Sequence, residues 1–179
     1  TDQIVALGAH NGNLVIFCRD SIIIYEDGDN FQGSFDTTSL TLVEVIQGVG
    51  CVARDSVQNL GDDILFLSAN GVGSLSRVIQ EKSQPLSDVS RNVQDDVVQL
   101  LRGETSTSVK SVYSASNSFY LISFLNSGST YCFDTRGRLE DESFRVFLWT
   151  EQTANGYLDY NGSLYLAEDN GYAKYTGHS

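Results

Sequence analysis

The sequence repeats one plan four times, and this repetition limits the possible folds more than any other feature does. Each repeat consists of a polar turn, an apolar strand, a short polar turn and a second strand. The apolar strands begin at Leu14, Ile64, Phe119 and Leu164, which are 45 to 55 residues apart. A period of roughly 40 to 50 residues is typical of β-propeller blades. The spacing therefore predicts an all-β fold of repeated, propeller-like antiparallel sheets.

The strands and turns within the repeats support this interpretation. The strands at 14–18, 64–68 and 119–124 are almost continuously apolar, which is typical of inner strands packed on both faces. The second strands, such as the one that closes the second repeat at 71–75, are more mixed, as outer strands should be. Asn-Gly, which favours tight hairpin turns, occurs at 11–12, 70–71, 155–156, 161–162 and 170–171. A meander of hairpins is therefore predicted within each repeat.

One segment breaks the strand pattern. The valines and leucines of residues 87–102 recur at nearly helical spacing. Ser87 or Ser90 could cap the start of a helix there, and Gly103 could end it. We therefore predict one helix inserted between the second and third repeats, either packed on the rim of the propeller or used to contact a neighbouring subunit.

Length and composition are those of a folded chain. With 179 residues, it can bury a sizeable core in one domain. Apolar residues make up 41% and charged residues 19%, and no run approaches the ~20 apolar residues that cross a bilayer. We expect one propeller-like domain over residues 1–179 with no membrane insertion. Because the chain lacks Met even at position 1, it could also be part of a propeller in a longer parent.

The three cysteines, Cys18, Cys51 and Cys132, are odd in number and far apart, and they lie inside apolar runs. This pattern favours free thiols in a reduced interior over a disulfide framework.

No residue type with catalytic potential occurs in a catalytic pattern. The histidines, His10 and His178, lie outside any metal-spacing cluster such as H-E-x-x-H. Ser56, Ser74 and Ser76 lack the G-x-S-x-G context of a nucleophile elbow. We therefore predict no catalytic residue and no enzymatic activity.

Cofactor and metal sites are likewise not predicted. Gly71–Gly73 falls at a hairpin and does not resemble a phosphate-binding loop. The acidic clusters Glu26–Asn30 and Asp62–Asp63 could offer oxygen ligands to Ca²⁺, but neither matches D-x-[DN]-x-[DN]-G. Asp27 and Asp29 are more typical of residues that stabilise a turn, so we predict no metal and no cofactor.

Carbohydrate chemistry remains an alternative. Two glycosidase carboxylates could come from different blades, where sequence spacing does not report their separation. The one tryptophan, Trp149, fits either a core position in an apolar strand or a platform for a sugar ring.

Two segments resemble a known family. The stretch Asn59–Arg77, after Gly50–Ser56, is similar to the β-propeller portion of the tail nozzle proteins of short-tailed phages, the tail tubular protein B group. The opening, Gln3–Tyr25, also resembles a blade of this group and contains its pattern I-x-x-L-x-x-x-x-x-x-L-V-I-F. The resemblance extends over residues 3–79, and the rest of the chain shares the repeat spacing.

This resemblance implies a structural protein of the virion tail, assembled in the host cytoplasm. Family members form a hexameric tube below the portal and adaptor, through which DNA is ejected. The expected partners are further copies of the chain and the neighbouring tail adaptor and fibre proteins. The family contributes no catalytic residues. A whole nozzle subunit is much longer than this chain, so the chain would be one piece of a subunit.

The net charge of the chain affects how it would interact with DNA in such a conduit. The chain has 11 Lys+Arg against 23 Asp+Glu, a net charge of −12 that disfavours tight nucleic-acid binding. Carboxylates that line a channel would keep DNA from adhering as it passes without specific binding. The same charge could instead be spread over the exterior and serve solubility alone, and the sequence leaves both interpretations open.

Overall fold

The fold is known from a computed structural model that describes residues 2–28, 38–83, 89–150 and 153–177. Within these ranges the chain forms four antiparallel sheets, and each sheet takes its strands from one continuous stretch of sequence. The prediction of an all-β fold is therefore confirmed.

The sheets are numbered in chain order. The first contains β1 (Ile4–His10), β2 (Asn13–Cys18), β3 (Ser21–Asp27) and β4 (Leu40–Gln47). The second contains β5 (Gln58–Asn59), β6 (Ile64–Ser68) and β7 (Gly71–Ser74). The third contains β8 (Val109–Ser114), β9 (Phe119–Phe124), β10 (Ser129–Arg138) and β11 (Phe144–Trp149). The fourth contains β12 (Gly156–Tyr160), β13 (Ser163–Glu168) and β14 (Gly171–Lys174).

Four of the five Asn-Gly pairs lie at hairpins, as predicted. At 11–12 and 161–162 both residues have positive φ, with values of 51° and 79° in the first pair and 49° and 72° in the second. This is the conformation of a type I′ turn, which Asn and Gly adopt at low cost. The pairs at 70–71 and 170–171 end the turns that lead into β7 and β14. The prediction was wrong for 155–156, which leads into β12 from an irregular segment.

The apolar strands of the repeats are the second strands of their sheets, which corrects their predicted position as inner strands. A further strand, β1, β5, β8 or β12, precedes each of them. Three of these preceding strands, β5, β8 and β12, gave little signal because they are short or mix polar with apolar residues. β5, for example, consists of Gln58 and Asn59 alone.

The four sheets stack face to face in chain order, with one apolar core between each successive pair. Phe17 and Ile22 of the first sheet pack against Ile64 and Phe66 of the second, and the two phenylalanine rings lie 5.2 Å apart. All five residues of β6 are buried, and its alternate residues face the first sheet on one side and the third on the other. The prediction that this strand is packed on both faces is confirmed.

The other two cores have the same construction. Leu65 and Leu67 of β6 pack against Tyr120 and Ile122 of β9. The opposite face of β9 presents Leu121 to the fourth sheet. All six residues of β9 are buried, which confirms the prediction for this strand as well.

The first strands of the sheets lie beside one another. The Asn59 side chain in β5 donates a hydrogen bond to the Ala9 carbonyl of β1, at 3.1 Å. The Gln58 side chain donates to the Ser111 carbonyl of β8, at 3.3 Å. β8 in turn packs along β12. The described residues thus form an ordered stack with adjacent first strands, although a closed propeller is not seen within them.

The connection between the first two sheets follows the backbone of the first sheet very closely. The Cys51 N–H donates to the Cys18 carbonyl at 2.8 Å, and the Val52 N–H donates to the Leu67 carbonyl at 2.9 Å. A Cβ atom on Gly50 would lie 2.2 Å from the carbonyl oxygen of Arg19. Glycine is therefore required at position 50 for lack of space.

The same connection then reaches the third sheet through Ser56. This buried hydroxyl donates to the Ala53 carbonyl at 2.7 Å and accepts from the Leu67 N–H at 2.9 Å. The Ser56 carbonyl accepts a hydrogen bond from the hydroxyl of Tyr120, at 2.8 Å. Residues 50–56 are thus hydrogen-bonded to the first, second and third sheets.

A helix that was not predicted follows β7. The chain was expected to remain extended to residue 75, but α1 spans Leu75–Glu81. The Ser74 hydroxyl caps it by accepting from the Arg77 N–H, and Leu75 and Val78 enter the core between the first two sheets. This cap and the i, i+3 apolar pair explain the helix.

The predicted helix at 87–102 is present but shorter. A 3₁₀ turn at Arg91–Val93 leads into α2 (Gln94–Leu101), while residues 87 and 88 lie outside the described part. Ser90 does not cap α2, because its hydroxyl is bonded to the backbone of Val72. Val97 is buried in the core between the second and third sheets, so α2 packs on the stack. Within the described ranges, neither helix is long and apolar enough to cross a membrane.

Candidate functional site

The outer side of the first sheet carries a broad apolar face. Two rows of apolar residues run across its strands, since Leu7, Ile16, Ile23 and Val45 are register partners, as are Leu14, Tyr25 and Leu42. Leu7 is 63% exposed, Leu42 50% and Val45 41%. On the opposite side of the same strands, Val15, Phe17, Ile22, Ile24 and Ile46 are buried in the core shared with the second sheet. We name these seven residues the aliphatic end face.

The outer side of the fourth sheet carries a second apolar face. Leu158, Tyr160 and Tyr172 are 58%, 61% and 78% exposed, and they lie around the half-buried Tyr165. The rings of Tyr165 and Tyr172 meet edge to face with centroids 6.1 Å apart. All four residues line a shallow groove of about 560 Å³. We name them the tyrosine end face.

Faces of this kind mark interaction sites, because soluble proteins rarely leave contiguous apolar surface in water. Tyrosine in particular is enriched in interfaces. Neither face was predicted from the sequence. A signal was available in β2 and β3, where apolar residues point to both sides of the sheet although only one side is buried. This pattern indicates an exposed apolar face only when the first sheet is known to lie at one end of the stack.

Two of the polar residues considered from sequence, His10 and Asp63, have structural partners. His10 is 8% exposed, and its Nε2 atom lies 3.1 Å from the side-chain nitrogen of Asn11. Asp63 accepts hydrogen bonds from the Ser74 hydroxyl and the Ser76 N–H, so it supports the start of α1. His178 lies outside the described residues.

The acidic clusters do not form a metal site in the part of the chain that is described. Asp27, at the end of β3, accepts a hydrogen bond at 2.6 Å from the hydroxyl of Ser39, the residue before β4. Asp62 is exposed, and Asp29 and Asn30 lie outside the described residues. Among the described residues, no group of three or more His, Cys, Asp or Glu side chains is placed to hold a metal ion.

The cysteines are three free, buried thiols. Burial raises the pKa of Cys51, and it raises the pKa of Cys132 to about 12. Both side chains therefore remain protonated at neutral pH and are poor nucleophiles. The reduced setting inferred from their spacing stays a prediction.

Trp149 lies in a cleft of about 490 Å³ at the edge of the third and fourth sheets. Its ring is nearly parallel to that of Tyr175, with centroids 5.8 Å apart, and Phe119 meets both rings edge-on. The indole is partly buried against the core between these sheets, which agrees with its predicted core position. Its use as a sugar platform remains a prediction.

The cleft contains one carboxylate, Asp134, among its described lining residues. This group accepts two hydrogen bonds from the Arg136 guanidinium, at 2.8 and 2.6 Å. These bonds lower the pKa of Asp134 from 3.8 to about 2. The carbohydrate-processing alternative requires a second carboxylate, which the described residues of this cleft do not supply.

The Asp134 pair predicts a pH-dependent difference in stability. Because the folded-state pKa of Asp134 lies below the unfolded value, the pair stabilises the fold above about pH 4, and this contribution disappears as the pH falls to about 2. Arg136 is 72% exposed, so we expect Asp134→Asn to cost less than about 1 kcal/mol at pH 7. Urea unfolding of the wild type and of the Asp134→Asn variant, at pH 7 and at pH 2, measures the difference in their free energies of unfolding at each pH. A loss of stability in the variant that persists at pH 2 would contradict this prediction. So would an equal loss in the exposed Asp62→Asn control.

Comparison with known proteins shows a distant structural likeness. No protein-family model matches the sequence, and no curated protein matches it either. Among solved structures, the chain is similar to PorZ, an essential surface component of the type-IX secretion system of Porphyromonas gingivalis, with 18% identity and a TM-score of 0.46. The alignment covers 97% of this chain and 19% of PorZ, so the chain spans about a fifth of that protein. A likeness at this level carries no argument about function.

Proposed function

We propose that this chain is a structural component of a phage tail, in the nozzle below the portal and adaptor, where it forms part of the conduit for DNA ejection. The observation that carries the proposal is the pair of apolar end faces on an ordered stack of sheets. A stack that leaves both ends apolar is suited to assembly with further protein. The tail setting comes from the resemblance of residues 3–79 to nozzle proteins.

The four sheets are, in this proposal, consecutive blades of a propeller. Supporting it, each sheet is a meander of neighbouring strands, and the faces of successive sheets pack against each other. The side chains of Gln58 and Asn59 bridge the first strands, which would lie next to the propeller axis. A blade arrangement requires another sheet beyond each end face, because a propeller is closed.

The proposed work of the chain is binding, with no chemical turnover. Ser56, Ser74 and Asp63 are used in hydrogen bonds that hold sheets and helices together. The buried thiols have raised pKa values and are not activated. The partners would be further copies of the chain, in a six-membered ring, and the adjacent adaptor and fibre proteins.

DNA would pass through the assembly without specific binding. The net charge of −12 supports this, since like charge repels the phosphate backbone within about 8 Å at physiological salt. The carboxylates would need to face the channel for this effect, and an even spread over the exterior would serve solubility alone.

The test is native mass spectrometry of the assembly that contains this chain, purified from its source. We expect six copies together with other tail proteins. A stable monomer without tail proteins would contradict the proposal.

A second measurement is duplex binding by the purified chain, and salt-sensitive binding at micromolar concentration would contradict a passive conduit wall. Hydrolysis of a polysaccharide, abolished by replacing one carboxylate with its amide, would favour the carbohydrate-processing alternative.

A further inference from the structure

We infer that the hairpin of β10 and β11 carries a binding site for a doubly charged phosphate group, either free or terminal on an organic molecule. The site is a cleft of about 470 Å³, lined in part by Gly137 and Leu139. Its charged lining residues are Asp134, Arg136, Arg138 and Arg145, and we name these four the arginine cleft. This binding role goes beyond the tail function proposed above, which does not use these residues.

The pairing of the two strands brings the charged side chains together. Asp134 and Arg145 are register partners on neighbouring strands. The register then shifts between Asp134 and Arg138, so the residues between them are left out of the ladder. Irregularities of this kind re-aim side chains and are frequent beside functional sites. The described lining residues all belong to this one hairpin, so the cleft is formed without residues from the ends of the chain.

Two of the three guanidinium groups are held in place by the protein. The Arg136 guanidinium donates hydrogen bonds of 2.8 and 2.6 Å to the Asp134 carboxylate. Arg138 donates to the Glu142 carbonyl at 3.0 Å, and its guanidinium lies 4.9 Å from the centre of the Phe144 ring. Side chains that are already fixed lose little conformational freedom when a ligand binds.

The third arginine, Arg145, is available for a ligand. Its side chain is exposed, and no carboxylate of the described residues lies within 4.0 Å of its guanidinium. After the hydrogen bonds from Arg136, the charge of Arg145 also contributes to the lowered pKa of Asp134. The Arg145 guanidinium therefore acts on the same part of the cleft as the Asp134–Arg136 pair.

The charge of the cleft matches that of a terminal phosphate. Three guanidinium groups and one carboxylate give the lining side chains a charge of +2, in a chain whose net charge is −12. Asp63 lies 4.0 Å from Arg138, outside the described lining, and its oxygens accept hydrogen bonds from the start of α1. A phosphate monoester carries about −1.5 to −2 charges at pH 7 and offers three acceptor oxygens.

The geometry of the donors favours the same ligand. The guanidinium group is a planar fork that binds two oxygens of a phosphate at once, and three such forks suit an anion with three terminal oxygens. A carboxylate has one charge and two oxygens, so it would leave part of the positive charge unpaired. The DNA backbone has one charge per phosphate, and the net charge of the chain repels a long polyanion.

The test is a titration of the purified chain with phosphate compounds at constant ionic strength, followed by the NMR shifts of its backbone amides. We expect saturable binding with a Kd of about 1 mM or lower and shifts confined to the β10–β11 hairpin. Inorganic phosphate and methyl phosphate separate the two sources. Binding of both identifies a group carried on an organic molecule, and binding of inorganic phosphate alone identifies the free ion. Dimethyl phosphate has one charge fewer and should bind about fivefold more weakly.

Variants of Arg145 test the cleft itself. Arg145→Gln should weaken phosphate binding by about tenfold, because it removes a charged donor. Arg145→Lys keeps the charge but loses the planar fork, so its affinity should lie between those of Arg145→Gln and the wild type. Arg102→Gln is the matched control, since it removes an exposed arginine outside the cleft and should leave the affinity unchanged. Circular dichroism checks that each variant retains its strands.

Four results would overturn the inference. The first is the absence of saturable phosphate binding, and the second is an equal loss of affinity in the Arg102→Gln control. The third is a set of amide shifts centred outside the hairpin. The fourth is dimethyl phosphate binding as tightly as the doubly charged compounds. Duplex DNA that binds through Arg145 would contradict both this choice of ligand and the passive conduit wall.

Discussion

Replacing Gly50 by alanine is expected to destabilise the fold by about 3 kcal/mol or more, because the added methyl group has no space. It would lie 2.2 Å from the Arg19 carbonyl oxygen and 2.5 Å from that of Cys18. Both contacts are with backbone, which cannot rotate away as the end of a side chain could. The connection would have to separate from the first sheet and lose the hydrogen bond from the Cys51 N–H to the Cys18 carbonyl.

Urea unfolding followed by circular dichroism measures this effect as a shift in the transition midpoint. Gly137→Ala is a matched control, because a Cβ atom there has nothing within 4 Å and the residue lies outside the left-handed region. We expect the control to change the free energy of unfolding by less than about 0.5 kcal/mol. Equal stability of the Gly50→Ala and Gly137→Ala variants would contradict the close backbone contact at position 50.

Removing the side chain of Tyr120 should have a similarly large effect, for two separable reasons. The ring is fully buried between the second and third sheets, packed 5.9 Å from the ring of Phe133, and Tyr120→Ala should leave a cavity that costs about 3–5 kcal/mol. The hydroxyl donates to the Ser56 carbonyl, so Tyr120→Phe should leave that buried acceptor unsatisfied at a cost of about 1–3 kcal/mol.

The same unfolding measurement, made on both variants, separates packing from hydrogen bonding. Tyr172→Phe serves as the control for loss of a hydroxyl, since that side chain is 78% exposed and the change should cost less than about 0.5 kcal/mol. If Tyr120→Phe is as stable as the wild type, the hydrogen bond to Ser56 does not contribute to coupling between the sheets. If Tyr120→Ala costs no more than Tyr120→Phe, the ring does not pack as described.

The sequence was sufficient to predict those parts of the fold that depend on local chemistry. β6 and β9 were identified because every residue in them is buried, so their apolar character is continuous. The turns at 11–12 and 161–162 were identified because Asn-Gly is the preferred pair for two successive residues with positive φ. Both signals lie within a few residues of the structure that they specify.

The remaining features depend on contacts between distant residues. β5 is only two residues long, and its side chains bond to β1 and β8, about 50 residues away in either direction. The start of α1 depends on Asp63, which precedes it by more than ten residues. The end faces are apolar surfaces like those inside the stack, and only the order of the sheets shows that they are uncovered. Sequence patterns do not report that order.

The construction of each sheet from one continuous stretch has a consequence for synthesis on the ribosome. A sheet can form as soon as its own strands have emerged, but its inner face stays in water until the next sheet follows. With repeats 45 to 55 residues apart and translation at about 5–20 residues per second, that interval is roughly 2–11 seconds. The first sheet, which contains Phe17 and Ile22, would thus be a transient target for chaperones, and the rate of translation would set the duration of that exposure.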